Sequence, residues 1–248
     1  MIELNNIYNE DCLEGMKRID NKSIDMILCD LPYGTTACKW DTIIPFEPLW
    51  EQYERIIKDN GAIVLTASQP FTSALIMSNI KLFKYSLIWD KVNASSGLHA
   101  KIQPMKIHED INIFGKSKII YNPQMVQSKV RVDKEREIPN GEAFSGKTNK
   151  RIYDNQGFRY PKSILQFSNA NQRGKIHPTQ KPVALFEYLI RTYTNEGETV
   201  LDNCMGSGTT AIACINTNRK YIGFELDKRY FYVANERIVS RINQMIVF

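Results

Sequence analysis

No CxxC pair occurs in the 248 residues. The five cysteines (Cys12, Cys29, Cys38, Cys204 and Cys214) stand apart, so their spacing gives a zinc site no support. Their odd number, without an export signal, predicts reduced thiols and a cytoplasmic location. No apolar run approaches the roughly 18 residues needed to span a bilayer, which speaks against a membrane partner. The opening Met1-Ile2-Glu3-Leu4-Asn5 lacks the basic-then-apolar order of a signal peptide. There is no internal repeat.

The chain is long enough for one large domain, or one domain carrying an insertion. Its 43% hydrophobic and 24% charged residues suit a globular enzyme. The net charge of +5 is modest but unevenly spread. Between residues 116 and 176, 13 Lys and Arg face five Asp and Glu, leaving the remainder acidic. Such clustering is what a polyanion partner attracts, although a solvated basic insertion would look the same.

Short apolar runs alternate with helical patterns, which predicts an α/β fold: a doubly wound, mostly parallel sheet with helices on both faces. A strand over 23–29 ends at Asp30. A helix with Phe46, Leu49, Trp50, Tyr53, Ile56 and Ile57 on one face follows. Asp59-Asn60-Gly61 should stop it before a strand over 62–66, with two more over 85–89 and 111–114. The periodicity dissolves over 116–175, predicting an inserted region between catalytic-domain segments 1–115 and 176–248. Pro182 then opens a helix, followed by a strand (199–202), a helix (208–216), a strand (221–225) and a helix from Asp227.

Val200-Leu201-Asp202-Asn203-Cys204-Met205-Gly206-Ser207-Gly208-Thr209 reads as strand, glycine-bearing loop and helix start. Open α/β sheets bind ligands at such strand ends, where glycine admits a close approach. Glu225 ends the next strand and can accept both hydroxyls of a ribose. The loop is no GxGxxG, and Asp202 beside a ligand would repel a pyrophosphate. S-adenosylmethionine, with its ammonium and sulfonium, suits that carboxylate better.

Asp30-Leu31-Pro32-Tyr33 closes an earlier strand at the same edge. An exocyclic amine of adenine or cytosine is a poor nucleophile, because its lone pair is delocalised into the ring. A carboxylate (Asp30) and a stiffly held carbonyl (Pro32), each accepting an N–H, would localise that pair. Tyr33 can stack on a base extruded from the duplex.

With these residues the sequence resembles the amino-methyltransferases of DNA, in the subgroup whose catalytic motif precedes the cofactor motif. Asp30, Leu31, Pro32 and Tyr33 stand at the family's D/N/S-P-P-Y/F motif, and Cys204 to Gly208 at its F-x-G-x-G loop. His177-Pro178-Thr179-Gln180-Lys181-Pro182 is similar to the element that precedes this loop and lines the cofactor pocket. Asn9-Glu10-Asp11-Cys12-Leu13 resembles the N-terminal element that contacts the cofactor adenine. Trp89-Asp90-Lys91 and His108-Glu109 also resemble family signatures. The resemblance implies cofactor contacts from Asp11, Cys12, Asp30, His177, Thr179, Lys181, Asp202, Cys204, Met205, Gly206, Ser207, Gly208, Thr209 and Glu225. Leu31 departs from the usual first proline and Cys204 from the usual aromatic.

The resemblance implies methylation of double-stranded DNA at adenine N6. N4-cytosine methylation is the close alternative, because an aspartate at position 30 leans to adenine and a serine to cytosine. A non-catalytic DNA-recognition module is the alternative from another class, and an RNA methyltransferase stands further off. Many relatives in this subgroup pair, so a homodimer is expected; a cognate restriction endonuclease is a candidate partner. The family's target-recognition region would fall within 116–175, where Arg151, Arg159 and Arg173 are first choices for DNA contacts. Cys29 ends an apolar strand and reads as a core thiol rather than a cytosine-C5 nucleophile.

Overall fold

The structure is a computed structural model that describes residues 2–34, 41–95, 97, 100–130, 156–169 and 180–246. The chain divides into two compact units, Met1–Asn122 with Ser163–Phe248 and, separately, Pro123–Lys162. In chain order the elements are β1 (Asn6–Tyr8), α1 (Cys12–Met16), β2 (Ile24–Asp30), α2 (Phe46–Ile56), β3 (Ile57–Ala67), α3 (Phe71–Ser78), β4 (Phe83–Ser95) and β5 (Lys106–Phe114). There follow β6 (Val126–Gln127), β7 (Phe158–Arg159), β8 (Ile164–Gln166), α4 (Val183–Tyr193), β9 (Thr199–Asp202), α5 (Thr209–Asn216), β10 (Lys220–Phe224) and α6 (Lys228–Ile246).

The large unit is built on an eight-stranded sheet ordered β1-β10-β9-β2-β3-β5-β4-β8. All neighbours from β1 to β3 pair in parallel. Strand β5 runs against both β3 and β4, and β8 lies parallel to β4 at the edge. The α/β architecture expected from the alternating pattern is present.

Successive residues of a strand face opposite sides, and β2 shows the result. Met26 and Leu28 join one core with Leu185, Leu189 and Ile190 of α4 and Ala211 and Cys214 of α5. Ile27 and Cys29 join another with Leu49, Tyr53 and Ile56 of α2 and Leu75 of α3. Helices therefore cover both faces. Burying each such Leu or Ile contributes ~1.5–3 kcal/mol, so Leu28→Ala would cost ~2–5 kcal/mol.

Several element boundaries differ from the expectation. Asp59-Asn60-Gly61 does not separate α2 from its strand, because β3 begins at Ile57 as α2 ends. Gly61 allows this: a Cβ there would stand 2.8 Å from the Asp25 carbonyl of the neighbouring strand. Strands β4 and β5 run well beyond the apolar cores that announced them, through Asp90 to Ser95 and back from Lys106. Residues 116–122 and 163–169 lie in the large unit. Ile120 donates to the Asn60 carbonyl at 3.0 Å, and β8 extends the sheet. The smaller unit holds the antiparallel pair β6–β7. Among the described residues no helix is long and apolar enough to cross a membrane.

Candidate active site

The carboxyl ends of the parallel strands meet at a cavity of about 760 Å³, an ordinary size for a cofactor site. It is lined by Asp11, Cys12, Asp30, Leu31, Pro32, Tyr33, Lys181, Asp202, Cys204, Met205, Gly206, Ser207, Thr209 and Glu225. These are residues that the sequence singled out. Gly208 is not among the lining residues. It starts α5 with φ +83°, and a Cβ there would lie 3.2 Å from Ala234 of α6, so its place demands glycine for packing. His177, Thr179, Arg151 and Arg173 lie outside the described residues. Arg159 is exposed on β7 in the smaller unit.

At the cofactor end, Asp202 closes β9 and is 3% exposed. It accepts hydrogen bonds from the Cys204 backbone N–H at 3.0 Å and from the Thr210 hydroxyl. These bonds pin the loop to the start of α5. Glu225 follows β10 and accepts from the Gly206 N–H at 2.7 Å and the Asp227 N–H at 2.8 Å. Burial pushes Asp202 up to about 6 and Glu225 up to about 7. Neither carboxylate has an ion-pair partner among the described residues. A cationic ligand would relieve the cost of their ionisation, so the donor set fits the ammonium and sulfonium of S-adenosylmethionine.

Asp11 caps the N-terminus of α1, accepting from Leu13 N at 2.8 Å and Glu14 N at 3.3 Å. Asn203 receives the Tyr53 hydroxyl at 2.5 Å, and its amide stands 3.6 Å from the Cys12 and Cys204 sulfurs. Burial pushes the Cys29 thiol up to about 12, which leaves no thiolate for attack on a ring.

At the other end, Asp30 closes β2. Its Oδ1 accepts from Thr66 Oγ1 of β3 at 2.5 Å and from the Tyr33 hydroxyl at 2.6 Å. Its Oδ2 pairs with Lys181 Nζ at 2.6 Å. Phe71 stacks on one face of Tyr33, with ring centroids 5.2 Å apart. Lys181 also stands 3.2 Å from Glu109 Oε2, and Lys91 holds Glu109 Oε1 at 2.5 Å. Burial alone would lower the Lys181 ammonium, but Asp30 and Glu109 outweigh it and hold the group above its usual range. Burial likewise opposes the Glu109 charge, and the two lysines overcome it, leaving that carboxyl below its usual range.

Thr66, Lys91 and Glu109 were not singled out for roles by sequence, although Lys91 and Glu109 fall in stretches that resemble family signatures. Glu109 reaches this edge because β5 is reversed, which brings the start of the strand to the ends of its neighbours.

Comparisons with known proteins agree with this geometry. The family model described as DNA methylase matches residues 24–236. The type II methyltransferase M1.MboII of Moraxella bovis is 30% identical, over 95% of this chain and 96% of that protein. The DNA adenine methyltransferase YhdJ of Escherichia coli strain K12 is 27% identical, over 95% of this chain and 83% of that one. The crystal structure of the M1.HpyAVI–SAM complex superposes with a TM-score of 0.62 at 26% identity, over 94% of this chain and 98% of that chain. A sheet edge with two buried acids at one end of a cavity and an Asp-Leu-Pro-Tyr turn at the other thus has its place. The chain belongs to the DNA methylase family, enzymes that move a methyl group from S-adenosylmethionine to DNA.

Proposed function

We propose that this DNA methyltransferase acts on the exocyclic N6 of an adenine extruded from double-stranded DNA, with Asp30 as the amine's acceptor. The observation that carries this reading is the Asp30 carboxylate in the wall of the cavity that also holds Asp202 and Glu225. S-adenosylmethionine, when bound, supplies a methyl group made electrophilic by its sulfonium. Asp202 and Glu225 hold that cation and its ribose hydroxyls. Asp30 and the Pro32 carbonyl accept the two amine N–H bonds and localise the nitrogen lone pair. Tyr33, stacked on Phe71 and with Lys181 Nζ 5.8 Å from its ring centroid, supplies the aromatic surface for the base. As the methyl group passed from the sulfonium to the amine nitrogen, the positive charge would develop beside Asp30, whose carboxylate would stabilise it until the proton passed to solvent.

Aspartate rather than serine at position 30 favours adenine, and the adenine-specific name of the relative YhdJ supports the same choice. The test is mass spectrometry of nucleosides from unmethylated bacterial DNA treated with enzyme and labelled S-adenosylmethionine. The expected product is N6-methyladenine. N4-methylcytosine would replace the adenine assignment, and absence of both would overturn the reaction.

Target choice is assigned to region 116–175, with Arg151, Arg159 and Arg173 reaching the DNA. A chimera carrying the matching region of a relative with another target should change its sequence preference. An active chimera that keeps the original preference would move recognition elsewhere. A homodimer would extend the basic surface along a duplex, and light scattering at a monomer mass with DNA bound would exclude it. A cognate restriction endonuclease fits the type II naming of M1.MboII; digestion of DNA from cells lacking the enzyme, and protection in cells that have it, would reveal the pair.

A further inference from the structure

Holding an amine takes an acceptor pair, yet the wall at Asp30 contains four charges, its own included. Lys91, Lys181, Asp30 and Glu109 sum to zero, and the side chains of the two lysines and Glu109 are 11%, 7% and 13% exposed. Lys181 is shared unequally. It hydrogen-bonds Asp30 Oδ2 at 2.6 Å, but at 3.2 Å from Glu109 Oε2 it makes only an ion pair. That buried oxygen of Glu109 accepts no hydrogen bond among the described residues. Its partner oxygen is held firmly by Lys91 at 2.5 Å. A buried carboxylate oxygen whose nearest donor is an ammonium at 3.2 Å is under-satisfied, and such an atom marks a place that a shorter bond is suited to fill.

We propose that Glu109 is a positioning residue for methyl transfer: it is the second berth of Lys181, taking the ammonium from Asp30 when the target amine reaches that carboxylate. The proposal rests on Asp30 being the amine's acceptor, as argued above. An ammonium bonded to Asp30 draws charge from the acceptor and opposes the positive charge that grows on the amine during transfer. Moved to Glu109, the same ammonium leaves Asp30 a stronger acceptor. The exchange alters no net charge, because both carboxylates belong to one cluster. Lysine suits it, with three donors on a flexible stem. The Trp89 ring lies 5.4 Å from Lys91 and 6.0 Å from Lys181, an aromatic face that both ammoniums share. Lys91 fixes the berth by holding Glu109 still.

The test is a double-mutant cycle on the full chain, using unmethylated bacterial DNA and labelled S-adenosylmethionine. Glu109→Gln keeps the size and an acceptor for Lys91 but cannot take up the charge of Lys181. It should slow single-turnover methyl transfer by roughly 100-fold, with unchanged dissociation constants for cofactor and DNA. Glu109→Asp should recover part of the rate. Glu109→Gln added to Lys181→Met should slow the enzyme no further than Lys181→Met alone, because the berth acts only through the lysine. Losses that multiply, a wild-type rate in Glu109→Gln, or a loss confined to cofactor affinity would each overturn the proposal. If Glu109→Gln does not fold, Glu109→Asn, which likewise keeps an acceptor but carries no charge, goes through the same cycle with the same criteria. Asp30→Ala separates the two claims. If it retains activity, the acceptor reading fails; if it is inactive while Glu109→Gln is fully active, only the berth fails.

Discussion

At the cofactor end of the cavity, Asp202 and Glu225 face the void with backbone and hydroxyl donors but no ammonium or guanidinium partner among the described residues. At the catalytic end, Asp30 and Glu109 share two buried lysines. The first pair is left in debt to a cation from outside, and the second is already balanced from within. The difference suits their tasks. A ligand that carries permanent positive charge can be recognised by the charge it lacks in the protein. A neutral amine brings no charge on arrival, so its acceptor must be kept in the cavity by internal partners until the chemistry starts.

The largest effect that would sharpen this contrast is expected from Asp30→Ala. Losing the amine's acceptor should lower methyl transfer by roughly 10³-fold. Labelled methyl incorporation into DNA measures it, and near-wild-type activity would dismiss the assignment. At the other end, Glu225→Ala should weaken S-adenosylmethionine by ~1–3 kcal/mol, about 5- to 150-fold. Calorimetric titration reads this directly, and an unchanged dissociation constant would mean that the ribose lies elsewhere. Thr66→Val removes one hydroxyl from Asp30 and should cost about 1 kcal/mol in kcat, about fivefold, without touching cofactor affinity. A weakened cofactor Kd in Thr66→Val would blur the division between the two ends.

The smallest expected effect concerns pH. A cation binds the ionised carboxylates more tightly, so binding expels protons from Asp202 and Glu225. Because burial lifts these groups to about 6 and about 7, affinity should rise as pH climbs through that range and level off above it. Titrations from pH 5.5 to 8 should show a few-fold rise in the wild type and a smaller one in Glu225→Gln. A flat profile in both would show that the cation rests on other groups.

The acids at strand ends were legible because apolar runs such as Met26 to Cys29 and Val200-Leu201 mark where a buried strand stops. The residue that follows each run is then placed at the sheet's edge. Lys181 was legible only as part of a resembling segment, and its pairing with Asp30, 151 positions away, was not. No local periodicity encodes such a partner. The early half of β5 was missed for a related reason. Ile107 and His108 are exposed, so Lys106 to Asp110 reads as loop until the pairing with β4 is known. Likewise β8 has three residues, too few to show alternation, and owes its place to β4.

The reversed strand β5 makes alignment itself a carrier of chemical information. Trp89 stands opposite Glu109 in the β4–β5 ladder. A slip of two residues would keep Ile111 and Ile113 on the same face, but it would carry Glu109 into the buried site of Ile111, or Gly115 into that of Ile113. The same slip would put Ile107 or Ile111 where Glu109 belongs. Core packing therefore proofreads this hairpin, and the bonds from Ser86 to Asn112 and from Thr72 to Asp110, at 2.7 Å each, add to the check.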